Sequence, residues 1–98
     1  MSPQILIHEA AEIWWSDAAD YYDIACPNLG SVFIDEVQRT IGNISEFPDA
    51  GPVVRGQIRK KPIAKFPFSV FYSLRSDEIR ILAGAHQKRR PFYWRSRH

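Results

Sequence analysis

Residues 9–48 read EAAEIWWSDAADYYDIACPNLGSVFIDEVQRTIGNISEFP, and the fold turns on how this stretch divides. Ala11, Trp14, Trp15, Ala18, Tyr22 and Ala25 recur at three- and four-residue steps, with Asp17, Asp20 and Asp23 between them. That spacing predicts an amphipathic helix with an acidic outer face. Pro27 ends it, because proline has no amide hydrogen and restricts the residue before it. Asn28 then suits the N-cap of a second helix, its side chain accepting an orphan backbone hydrogen bond. Leu29, Phe33, Val37, Ile41 and Ile44 keep the helical period, Gly42 weakens it slightly, and Pro48 closes it. Only about three residues join the two periods, which predicts an antiparallel helix hairpin.

Outward from this hairpin, residues 4–8 (Gln-Ile-Leu-Ile-His) are short, β-branched and apolar, and read as a strand. Residues 48–57 carry two prolines and two glycines and read as a loop. Three strand-like stretches follow. Ile58 to Ala64 contains Pro62, which suggests an edge or irregular strand. Phe68 to Leu74 and Ile79 to Ala85 flank Ser76-Asp77, a pair suited to a tight hairpin. The order β-α-α-β-β-β predicts an α+β two-layer sandwich over residues 1–98: an N-terminal strand, a helix hairpin and a three-stranded antiparallel meander. One sheet face would lie under the helices and the other would stay uncovered, a natural binding surface.

The chain has 98 residues, 45% of them hydrophobic and 24% charged, which fits one domain with a core of its own and excludes wholesale disorder. The single cysteine, Cys26, cannot form an intramolecular disulfide, and no Cys/His cluster has zinc spacing. A reducing cytoplasm is the expected compartment. No run approaches the roughly 20 apolar residues of a membrane helix, and no signal-peptide core is visible. No cofactor, metal or membrane partner is expected. His8 and His98 carry no expected role. Asp17, Asp20 and Asp23 read as a solvated helix face, since their steps do not converge on a metal. Trp14 and Trp15 are adjacent, so one of them is expected to be exposed or covered by a partner.

The net charge of +2 conceals a sharp division. Residues 1–50 hold nine acids and one base, a balance of −8; residues 51–98 hold twelve Lys/Arg and two acids, a balance of +10. Such asymmetry suits an acidic or nucleic-acid partner for the basic half. The tail concentrates it: five of the eleven residues 88–98 are Lys or Arg, interleaved with Phe92, Tyr93 and Trp94. Cations meet phosphates and rings stack on bases, but Arg, Tyr and Trp serve protein interfaces equally well.

At these residues the chain resembles the RelE/ParE superfamily, small toxins of bacterial type II toxin–antitoxin systems. The resemblance is carried by Ala18-Ala-Asp-Tyr-Tyr22, Phe33 and Val37, Phe47-Pro48 with Gly51-Pro52, Arg59, Phe66-Pro67-Phe68 and Val70-Phe-Tyr72. The tail pattern His86-x-x-Arg89-x-Pro91-x-Tyr93-Trp94-x-x-Arg97 completes it. The family fold implied is a strand, a helix hairpin and a meander. Two activities are implied on that fold: RelE-like members cut messenger RNA on the ribosome, and ParE-like members poison DNA gyrase. Fold does not choose between them.

Metal-free RNA cleavage needs a base, cations on the phosphate and an acid for the leaving oxygen. The RelE resemblance implies Arg89 and Tyr93 in those roles; His86 joins them by its own chemistry, with Lys60, Lys61 and Lys65 near the first meander strand to hold phosphates. His86 suits acid–base work, its ordinary pKa being about 6.5. The match is partial: Ser69 stands where the resemblance implies a catalytic Arg, and Gln87 where another is frequent. These departures favour the ParE-like reading, a toxin of a plasmid-stabilisation system, with the mRNA endoribonuclease as the alternative. The target-binding residues implied are Arg89, Arg90, Tyr93, Trp94 and Arg97. The partners implied are DNA gyrase (alternatively ribosome and mRNA), a cognate antitoxin meeting Trp14, Trp15 and Arg59, and operator DNA only through that antitoxin.

Overall fold

The computed structural model describes residues 4–87. Helix α1 (Glu9–Ala25) begins where the His8 Nδ1 atom accepts from the Ala10 amide at 2.9 Å, so His8 has a role after all, as the N-cap. It ends at Cys26, whose amide donates to the Tyr22 carbonyl at 2.9 Å, immediately before Pro27. Helix α2 (Leu29–Glu46) follows at once.

Asn28 is the N-cap residue of α2 but does not cap it with its side chain. The tight reversal holds Asn28 in the left-handed region at φ 72°, a conformation Asn tolerates better than most residues. The cap comes from the other helix. Asp23 Oδ1 accepts from the Gly30 amide at 2.7 Å. The two helices approach so closely here that a Cβ on Gly30 would lie 2.5 Å from the Ala19 carbonyl oxygen.

Among the described residues the sheet has five strands, one more than expected. The expected loop contains β2 (Val53–Arg55), which pairs antiparallel with β3 (Ile58–Pro62). Two Pro and two Gly in ten residues disguise it; three residues paired across Gly56 at φ 55° suffice for a short edge strand. β3 is therefore interior, and Pro62, its last residue, pairs with Ser69 beyond the reach of β2. β4 (Phe68–Arg75) and β5 (Glu78–His86) form the expected hairpin around Ser76, at φ 52°, and Asp77. The N-terminal strand β1 (Gln4–Ile7) lies parallel to β5, giving the order β1-β5-β4-β3-β2.

Both helices pack on one face of this sheet. Ala11 of α1 and Phe33, Val37 and Ile44 of α2 meet Val70 and Tyr72 of β4 and Ile79 and Ile81 of β5, all buried. The α+β sandwich is as expected. Trp14 and Trp15 differ from expectation: both are half-buried and pack against this core. Trp14 meets Phe33 and Phe68 edge-on at 5.6 and 5.7 Å, and it lies on Gly84, where a Cβ would come within 2.3 Å of its ring. The bare backbone at Gly84 makes room for a ring too wide for the helix–sheet gap.

Candidate functional site

The register places Ile58, Lys60, Ser69, Phe71, Ser73, Ala83 and Ala85 on the sheet face turned away from the helix-packed side chains. Its centre is not the bare surface expected: Ser69, Phe71, Ala83 and Ala85 are all 5% exposed or less. A small cavity of about 60 Å³ opens on this face, lined by Val54, Lys60, Ser69, Phe71, Ala85, His86 and Gln87. Its size admits a few waters or a single small polar group. One cation, one hydroxyl and one amide border an aromatic ring there.

The sequence-selected residues do not all meet at this cavity. Lys60 is exposed beside Phe71 on the open face. Lys61 pairs with Val70, on the helix-side set of positions. Lys65 lies beyond β3 in the left-handed region at φ 72°, its ammonium 3.4 Å from Glu36. Three lysines close in sequence thus point to three different surroundings. His86 pairs with Phe68 and packs edge-on against its ring at 5.3 Å, at the end of the aromatic seam that includes Tyr22 and Trp14. Gln87 is tied by its amide to the Pro67 carbonyl at 2.8 Å. Arg89, Arg90, Tyr93, Trp94 and Arg97 lie outside the described residues.

Arg59 has structural work. Its Nη1 donates to the Asp49 carbonyl at 3.0 Å and the Gly51 carbonyl at 2.7 Å. Tyr72, fully buried, donates its hydroxyl to the Pro48 carbonyl at 2.9 Å. A Cβ on Gly51 would lie 2.4 Å from that hydroxyl oxygen. Pro48, Gly51, Arg59 and Tyr72, scattered in sequence, therefore converge on one clamp that fixes the chain between α2 and β2. Burial pushes the Tyr72 phenol upward; the Gly51 backbone and Arg59 pull it partly back, and Asp49 adds a smaller push upward. Tyr22 is also raised, by burial first and by neighbouring Tyr21 second.

Sequence reasoning missed Glu36. It is 3% exposed, and its carboxylate lies 3.5 Å from Arg39 and 3.4 Å from Lys65. Arg39 at the third residue along the helix was a readable local signal; Lys65, on the far side of β3, gave none. Asp23 is exposed, as expected of a solvated face, and one of its carboxylate oxygens also serves the Gly30 amide. Among the described residues, no group of three or more His, Cys, Asp or Glu is placed to hold a metal ion, and no helix is long and apolar enough to cross a membrane.

No family model matches the chain, and no curated protein does. Solved structures do. A chain of the "Chromosomal ParDE TA system from P. aeruginosa" superposes with a TM-score of 0.77 over 87% of this chain and 96% of its own, at 16% identity. At that identity the likeness is one of fold: this chain folds like a component of a ParDE toxin–antitoxin system.

Proposed function

We propose that this chain is the toxin of a type II toxin–antitoxin system, ParE-like in action: it arrests growth by inhibiting DNA gyrase and is silenced by a cognate antitoxin. The observation that carries the reading is the shared fold with a chain of a ParDE system along nearly all of both chains. Two features weigh toward gyrase and away from RNA cleavage. Ser69, where the RelE resemblance implies an Arg, is a buried strand residue paired with Ala85. Lys60, Lys61 and Lys65 stand in three different surroundings, with Lys65 already engaged by Glu36. A phosphate clamp needs its cations converging on one point.

The working surface proposed is the basic, aromatic segment after Gln87, with Arg89, Arg90, Tyr93, Trp94 and Arg97 meeting the target. The antitoxin is proposed as an acidic segment with apolar anchors, matched to the +10 balance of residues 51–98.

Induction of the chain in cells, with plasmid topology and mRNA 5′ ends followed together, tests the reading. Gyrase inhibition gives DNA breaks or relaxed plasmid without codon-linked cuts in mRNA. Codon-linked cuts with supercoiling intact would overturn it in favour of the endoribonuclease. Replacing Arg89 and Tyr93 together by Ala should abolish growth arrest, and a folded double variant that still arrests growth would take the tail out of the reading.

A further inference from the structure

The two edges of the sheet are built differently. β2, at one edge, is three residues long, follows Pro52, carries Arg55 and shifts register against β3 between Val53 and Arg55. Proline, charge and irregularity are the usual means by which an edge avoids pairing with another chain. β1, at the opposite edge, also follows a proline, Pro3, but Gln4-Ile-Leu-Ile7 itself is regular and uncharged. Leu6 is 36% and Ile7 42% exposed.

The backbone on that edge has a definite pattern. The Gln4 amide donates to the Asp77 carbonyl and the His8 amide to the Ile81 carbonyl, both at 2.8 Å. Backbone groups alternate sides along a strand, so Leu6 shares the inner side with them. Ile5 and Ile7 turn their amides and carbonyls outward. Among the described residues, β5 is the one strand that pairs with β1.

We infer that β1 is a self-pairing edge, which joins a second copy of this chain antiparallel across a twofold axis at Leu6. In this register Ile5 of each copy exchanges two hydrogen bonds with Ile7 of the other, so all the outward amides and carbonyls of Ile5 and Ile7 are used. Registers centred on Ile5 or on Ile7 would use half of them. Leu6 faces Leu6 of the second copy as a pair without hydrogen bonds, with Cα atoms about 4.5 Å apart. A strand without charge brings no like-charge repulsion to the axis. The contact is isologous and closes on itself, giving a dimer and not a fibre. Such a contact falls below the roughly 1,200 Å² of standard stable interfaces, so the dimer is weak and concentration-dependent. The inference stands on the sheet edge alone and does not depend on the toxin reading.

Cysteine trapping tests it in the full chain. Cys26 is exposed and would compete, so the experiment uses a C26S background. Leu6→Cys should form an intermolecular disulfide under mild oxidation at least tenfold faster than Ile7→Cys. Two Leu6 positions lie within bridging distance in this register, whereas two Ile7 positions are offset by two residues and exceed about 7 Å. Leu6→Lys, with its melt checked first, should weaken self-association at least tenfold in sedimentation equilibrium by placing two ammonium groups on the axis. Equal trapping rates for the two cysteine variants would overturn the inference, as would a chain that stays monomeric at millimolar concentration. Trapping of Leu6→Cys by a co-expressed partner, with the isolated chain monomeric, would also overturn it and give the edge to that partner.

Discussion

Two regions join the helices to the sheet, and they do so by opposite means. The aromatic seam gathers Trp14, Tyr22, Phe33, Phe66 and Phe68 with ring centres 5.0 to 6.3 Å apart, mostly edge to face. The clamp around residues 48–52 uses two side chains, Tyr72 and Arg59, that donate to three backbone carbonyls. Rings hold by shape and by area removed from water. Hydrogen bonds hold by direction, and each removed donor leaves a carbonyl unpaired. Both regions nevertheless depend on a glycine, Gly84 under Trp14 and Gly51 under Tyr72, because in each a ring system abuts bare backbone. A packed seam therefore fails when something is added, and the polar clamp fails either way, by an added methyl or by a removed donor.

The largest expected effect is Gly84→Ala. The new methyl would meet the Trp14 ring, which Phe33 and Phe68 hold in place, so destabilisation of about 3 kcal/mol is expected from overpacking. Denaturant melts of the single variants and of G84A/W14L check the cause. If Trp14 is the obstacle, the double variant loses less than the sum of the singles. An additive pair would place the strain in the strand itself.

Gly51→Ala comes next, at about 2 kcal/mol, because its methyl meets the Tyr72 hydroxyl at 2.4 Å and the Lys60 carbonyl at 2.7 Å. Tyr72→Phe removes the hydroxyl oxygen but leaves the strand carbonyl in place, so Y72F should relieve only part of the loss. Full relief in G51A/Y72F would show that the strand is more yielding than the geometry suggests.

The smallest is Tyr72→Phe alone, at about 1 kcal/mol near neutral pH, for one hydrogen bond and an unpaired Pro48 carbonyl. Its pH dependence is the sharper readout. Tyr72 holds its proton more tightly folded than unfolded. The corresponding stability is therefore complete below the ordinary phenol value near 10 and falls as pH rises from about 10 toward the raised folded value. Melts from pH 8 to 11 should show a shallower alkaline decline in the variant than in the parent. Tyr22, also raised, keeps part of that decline in both. Identical slopes would remove Tyr72 from the account.

The helices were legible because each is periodic over at least four turns and punctuated by Pro27 and Pro48. The β4–β5 hairpin was legible for the same local reason, an aromatic and β-branched run on either side of Ser76-Asp77. β2 was not: three residues between turn formers carry too short a pattern, and their strand character comes from pairing with β3. Asn28 shows a subtler miss. Its place as the N-cap residue is as expected, but its side chain makes no cap hydrogen bond: the reversal forces a left-handed backbone, and Asp23 supplies the acceptor. Of the site, the landmark motifs were visible in sequence, yet their meeting at Tyr72 and Arg59 was not.

The sequence by itself determined the element order, the hairpin of helices, the charge division and the aromatic positions, because these follow from spacing within a few residues. Tertiary structure alone decided that β1 lies beside β5, that Trp14 rests on Gly84, that Glu36 is buried against Lys65, and that the three lysines part company. The first three are contacts between residues 29 to 74 positions apart, and nothing in the local chain encodes which distant partner fills a given gap. That choice is made by packing, where volume, register and the pairing of buried polar groups must all be satisfied at once.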